Sequence, residues 1–143
     1  MKGTWRVTGA MVMAITGMSC AVRAQSADDV GRREYFSNCA ICHGEDGKGN
    51  GRLFATGFLA RKPSNLTALA AGNGGVFPVQ RVYMMIDGRE PIAAHGTRDM
   101  PVWGTEYAVE GMRGALGIID PEFYARVRIL ALIDYLARIQ APR

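Results

Sequence analysis

Cys39-Ala40-Ile41-Cys42-His43 is the stretch on which the reading of this 143-residue chain turns. Two thiols three positions apart, with an imidazole directly after the second, match the spacing of covalent c-type haem attachment. The spacing has a chemical reason. Each thiol adds across one of the two vinyl groups at the rim of a haem, and two intervening residues set the separation those vinyls require. His43 is then placed to coordinate the iron from the proximal side, one ring nitrogen binding while the other donates a hydrogen bond. Other uses of the same residues stay open. Cys39 and Cys42 can form a disulfide or a thioredoxin-like redox pair in an oxidising compartment. Such a pair needs no histidine beside it and usually follows a strand, and no hydrophobic strand precedes Cys39. A structural zinc site needs two further ligands. After residue 24 the chain has no other cysteine and, beside His43, only His95.

Upstream of the pentad the chain reads as an export signal. Lys2 and Arg6 lead into an uncharged stretch from Val7 to Val22, which ends in Val22-Arg23-Ala24. The pattern is that of a secretory signal peptide cut after Ala24. This divides the chain into residues 1–24, removed, and residues 25–143, one domain. A retained membrane anchor is the competing reading, but Gly9, Thr16, Gly17 and Ser19 interrupt the stretch, and a span wants about 20 strongly apolar residues. Lipidation at Cys20 is a third, weakened because Gly17-Met18-Ser19 lacks a leucine-like residue. Cleavage changes the charge. The signal takes Lys2, Arg6 and Arg23 and no acid, so 17 basic residues become 14 against 13 acidic, and +4 becomes +1. Two ionised haem propionates would bring that near or below zero.

The remaining composition excludes several classes. Apolar residues make up 48% of the chain, enough for one compact core. That excludes a disordered tail, a collagen-like rod and a multi-domain enzyme. The basic residues after residue 24 are scattered, with only Arg32-Arg33 and Arg61-Lys62 adjacent. No nucleic-acid partner is expected from such a distribution. Export places the protein in the periplasm, with no transmembrane anchor in the mature chain.

An iron held by His43 needs a sixth ligand or a reason to lack one. The methionines after residue 24 are Met84, Met85, Met100 and Met112. Met100 lies in Gly96-Thr97-Arg98-Asp99-Met100-Pro101-Val102-Trp103-Gly104, a loop-like run with no clean period. Pro101 restricts Met100 to extended backbone, a geometry from which a side chain can reach an iron. Core packing is the alternative use of Met100. Met84 and Met85 sit in an expected helix from Phe77 to Asp87 and read as core or pocket lining, with Tyr83 beside them. Met112 sits in a Gly-rich segment with Gly111, Gly114 and Gly117 that reads as flexible. His95, five residues before Met100, offers a bis-histidine alternative.

With these residues in hand, the chain resembles the class I cytochromes c of small bacterial type, over roughly residues 28–140. Four parts carry the resemblance. They are a first helix with Gly31 and Tyr35, the pentad with its Asp46–Gly51 glycine-rich loop, the Met100-Pro101-Val102-Trp103-Gly104 run, and a last helix with Leu132 and Tyr135. The resemblance implies an all-α cytochrome c fold of three to five helices wrapped around one covalently bound haem. It implies that Gly31 meets the helix face bearing Leu132 and Tyr135, with Tyr35 nearby. It also implies that Pro63 and Leu66 contact the proximal side of the haem, with Tyr83, Met84, Pro101 and Trp103 as further lining.

Residue patterns give a compatible helical layout. Asp28–Asn38 is a short amphipathic helix that Asp28 or Asp29 can cap. Arg52–Arg61 reads as irregular, and Asn65 or Thr67 can open a short helix over Leu66–Ala71. Pro121–Ile139 is the clearest helix, with Asp120 as cap and Pro121 in the first position. Its apolar stripe includes Val127, Leu130 and Ile133, widened by Ile129, Leu132 and Tyr135. Fifty-seven positions separate His43 from Met100, and 20 residues lie between Met100 and Pro121. The 105–120 segment reads as a surface insertion or as a docking element for a partner.

A His/Met-ligated iron is low-spin and six-coordinate, with no vacancy for substrate. The expected role is periplasmic single-electron transfer through haem c, as a free carrier or as the haem subunit of an oxidoreductase. The expected partners are a redox donor and acceptor, such as a periplasmic dehydrogenase or a terminal oxidase or reductase. No catalytic residues are expected. Asp99 and Glu106 are isolated carboxylates, and the Gly44–Gly51 loop lacks the Gly-Lys-Ser/Thr ending of a phosphate loop. The alternative is a five-coordinate or labile haem protein that binds or senses a small ligand.

Overall fold

A computed structural model describes residues 27–89, 100–114 and 120–142. Every regular element among the described residues is helical, as the all-α expectation requires. The order is α1 (Ala27–Glu34), a π turn (Tyr35–Cys39), α2 (Ala40–His43), α3 (Arg52–Ala55), 3-10 turns at Leu66–Ala68 and Ala71–Asn73, α4 (Val79–Asp87), α5 (Trp103–Gly114) and α6 (Pro121–Arg138). The expected signal peptide, Cys20 and His95 lie outside the described residues. No helix among the described residues is long and apolar enough to cross a membrane.

Helix α6 organises the fold. The Asp120 side chain accepts from the Phe123 amide at 2.8 Å and Pro121 opens the first turn, so both start signals act as expected. The buried face runs through Ala125, Ile129, Leu132 and Leu136, joined by Ala131, Ile133 and Tyr135. Val127 and Leu130, which the sequence pattern places on the stripe, are instead 45% and 47% exposed. The reason is that α1 and α5 both pack on α6, and the face they share is rotated away from those two positions.

The α1–α6 crossing depends on Gly31. A Cβ there would collide with the Ala131 carbonyl oxygen and press on Tyr135 Cβ, so only glycine lets the two backbones come this close. Tyr35 is fully buried one turn later, its ring 5.2 Å from that of Tyr135. The structure thus brings Gly31, Tyr35, Leu132 and Tyr135 into one region. The closest backbone neighbour, Ala131, is one that the sequence does not single out.

Two readings of the sequence change here. Trp103 and Gly104 are not loop residues, and the Gly-rich run after them is not flexible as far as Gly114. Residues 103–114 form α5, a 12-residue helix lying on α6. Gly104 and Gly111 are contact points rather than breaks. A Cβ at Gly111 would crowd the Tyr124 ring, and one at Gly104 would collide with the Asp87 carboxylate. An interior glycine such as Gly111 costs a helix about 1 kcal/mol, and the burial of Tyr107, at 2% exposure, offsets that cost. Met112 faces outward, 55% exposed.

Candidate functional site

The pentad begins where a π turn ends. The wider turn over Tyr35–Cys39 closes with the Ala40 amide donating to the Tyr35 carbonyl, and α2 then carries Ala40–His43. Such π turns are frequent at functional sites, because the extra residue re-aims the side chains that follow. Cys39 and Cys42 are half-buried and not joined to each other. Burial pushes the Cys39 thiol up to about 12, with the Glu34 carboxylate and Cys42 adding to the shift. Burial raises Cys42 as well. Both thiols are therefore held neutral, whereas a redox-active pair has a thiolate of lowered pKa.

His43 is oriented by the main chain. Its Nδ1 lies 3.0 Å from the Ser64 carbonyl oxygen. A carbonyl only accepts, so Nδ1 carries the proton and donates, leaving the Nε2 lone pair uncommitted. Burial lowers the imidazole pKa, against the opposing effect of the Ser64 bond, and so favours the neutral ring that a metal needs.

Two sets of contacts fix Ser64. On one side the glycine-rich loop folds back on α2. The amides of Gly44, Gly49 and Gly51 donate to the carbonyls of Ala40, His43 and Cys42 at 2.8, 2.7 and 3.1 Å. Gly49 has a φ of +75°, and a Cβ there would collide with the Pro63 carbonyl next to Ser64. The Tyr35 hydroxyl donates to the Gly44 carbonyl at 2.5 Å. On the other side the end of α6 holds the following turn. Gln140 Nε2 donates to the carbonyls of Leu66 and Leu136 at 2.8 and 2.7 Å, and its Oε1 accepts from the Ala70 amide at 2.9 Å. The Ala141 amide donates to Thr67 O at 2.8 Å. Asn65 opens the Leu66 turn, its Oδ1 accepting from the Thr67 amide at 2.9 Å. The sequence assigns no site role to Ser64, which it places in a turn, or to Gln140, since a main-chain acceptor and a single amide leave no pattern.

The other expected site residues are placed as follows. Met100 is half-buried and packs against the core, as do Cys39, Leu66, Tyr83 and Trp103. Trp103 lies 5.8 Å from Tyr107, ring centre to ring centre. Val102 O accepts from the amides of Thr105 and Glu106, so the Met100 segment runs directly into the first turn of α5. Pro63 is half-buried and Pro101 exposed. Met84 is 39% exposed and lies outside the core cluster. Asp87 and Glu122 both bond Arg89, at 2.8 and 2.6 Å, tying the end of α4 to the start of α6.

This donor set fits a covalently bound haem. It offers two neutral, unpaired thiols on one helical turn and a neutral imidazole with one free nitrogen. A half-buried thioether packs on the same core. No family model, curated protein or solved structure matches the chain.

Proposed function

We propose that this chain is a small c-type cytochrome with the class I layout, an exported carrier of single electrons. In this reading Cys39 and Cys42 would hold one haem covalently, and His43 and Met100 would supply its iron with a nitrogen and a sulfur ligand. The observation that carries the reading is the His43–Ser64 bond directly after the two thiols. It fixes the tautomer and direction of the imidazole in the way a metal-ligating histidine requires. When bound, the haem supplies a reversible one-electron couple. The chain's own residues do the rest. Cys39 and Cys42 would each supply an S–H for addition across one vinyl group, a thioether-forming addition that loses no atom. Ser64 holds His43 in register, and the loop of Gly44–Gly51 braces the helix that carries it. Leu66, Tyr83 and Trp103 exclude water, which together with a methionine ligand favours the reduced state relative to a bis-histidine site. Partners are a redox donor and acceptor that dock against the haem edge.

The reading is tested by visible and near-infrared spectra of the exported protein in both redox states, with carbon monoxide added to the reduced form. The expected result is a low-spin spectrum with a sulfur-to-iron charge-transfer band in the oxidised state and no rapid carbon monoxide binding. A high-spin spectrum, or rapid carbon monoxide uptake, would replace Met100 ligation with the ligand-binding alternative.

A further inference from the structure

A buried ionic cluster next to the first cysteine has no part in the function proposed above. Glu34, the last residue of α1, is 5% exposed. One of its carboxylate oxygens pairs with Arg128 Nη1 at 2.8 Å, and the other accepts from Asn38 Nδ2 at 3.1 Å. Arg128 Nη2 reaches Glu110 at 2.8 Å, and Glu110 also accepts from the Tyr124 hydroxyl at 3.0 Å. The guanidinium lies 5.2 Å from the Tyr124 ring centre and 6.0 Å from that of Tyr107. The Tyr107 hydroxyl and Arg128 Nε are buried with no hydrogen-bond partner among the described residues. Three helices thus converge on two carboxylates and one guanidinium, a net negative set.

Stability alone is a poor account of this cluster. Taking a charge out of water costs several kcal/mol, and apolar side chains of similar volume often do as well or better. Two buried polar atoms without partners add to the cost. The placement suggests a different role. Asn38, bonded to Glu34, is the residue immediately before Cys39. The carboxylate is also felt at the Cys39 sulfur, where it reinforces the effect of burial in holding the thiol protonated.

We propose that Glu34 and Arg128 set the reduction potential of the haem joined at Cys39, with Glu34 lowering it and Arg128 holding that carboxylate in place. The inference rests on the haem reading above. The sign follows from charge. Reduction adds one electron to the iron centre, and a fixed negative charge in a poorly solvated interior opposes it. Neutralising Glu34 shifts the electron-exchange equilibrium toward the reduced protein by about tenfold, which is about 59 mV for a one-electron couple.

The experiment is an equilibrium redox titration of the haem-loaded protein as wild type, Glu34→Gln and Glu34→Gln/Arg128→Met. The double variant removes both charges of the buried pair and leaves Glu110, half in solvent and still bonded by the Tyr124 hydroxyl, so it keeps the fold. The expected result is about a tenfold shift toward the reduced form in Glu34→Gln and a return toward wild type in the double variant. A purely structural role would move both variants the same way, through water admitted to the haem. An unshifted Glu34→Gln, or a double variant that stays with it or moves further, overturns the proposal. If the exported protein carries no covalent haem, the functional reading fails and this inference falls with it. A covalent haem with an unshifted Glu34→Gln defeats this inference alone.

Discussion

At Gly31 the chain has no room for a side chain, and two helices depend on that. The α1–α6 crossing puts the Ala131 carbonyl where a Cβ would stand. Gly31→Val is expected to destabilise the protein by about 1–3 kcal/mol through overpacking, read from urea unfolding; wild-type stability in that variant would contradict the crossing. Tyr35 makes a second point-like contribution. Its buried hydroxyl satisfies the Gly44 carbonyl directly after the pentad. Tyr35→Phe removes one of two donors to that carbonyl, the Gly47 amide at 3.1 Å remaining, at a cost of about 0.5–1.5 kcal/mol, and an unchanged urea midpoint would show that the bond contributes nothing. At this scale the pentad is legible in sequence, because covalent chemistry fixes both residue type and spacing. Gly31 is legible by resemblance. Ser64 is not, because it acts through a main-chain oxygen that every residue type possesses. Glu34 is not, because a glutamate in Arg32-Arg33-Glu34 looks solvated until Arg128 is brought to it from α6.

Elements were legible where start signals coincide with an uninterrupted pattern. Helix α6 has both and appears with its cap in place. Helix α5 has neither, since Gly104, Gly111 and Gly114 break the pattern. Its helicity comes from tertiary contact with Tyr124 and Asp87, which local propensity does not encode. The turn over residues 66–70 is a further case of remote support, held by Gln140 from near the far end of the chain. Gln140→Ala should lower stability by about 1–3 kcal/mol and expose the Ala70 amide to faster hydrogen exchange; undisturbed exchange at Ala70 would argue against the clip. The glycine-rich loop has its own pH response. The Lys48 amide, followed by Asn50 and the Lys48 charge, holds the Asp46 carboxyl below its ordinary pKa. A carboxylate lowered in the folded state contributes stability above its unfolded pKa of about 3.9. That contribution is lost as pH falls through the lower folded value. Asp46→Asn is therefore expected to flatten the acid limb of a thermal-midpoint profile, and an unaltered limb would remove Asp46 as its source.

For the whole molecule, the described parts form one arrangement in which α6 is the common support. It receives α1, and so the start of the pentad, as well as α5, while Gln140 just beyond its end fixes the turn after Ser64, whose carbonyl orients His43. The all-α architecture followed from the sequence because the pattern offers no strand. Within the segment read as a surface insertion or a docking element, residues up to Gly114 belong to a helix packed on α6. The central claim is covalent haem at Cys39 and Cys42, and the intact mass of the exported protein under denaturing conditions tests it most directly. The account predicts the chain from residue 25 onward plus one haem, retained after unfolding. The same chain at its bare mass, or two hydrogens lighter through a Cys39–Cys42 disulfide, would contradict it.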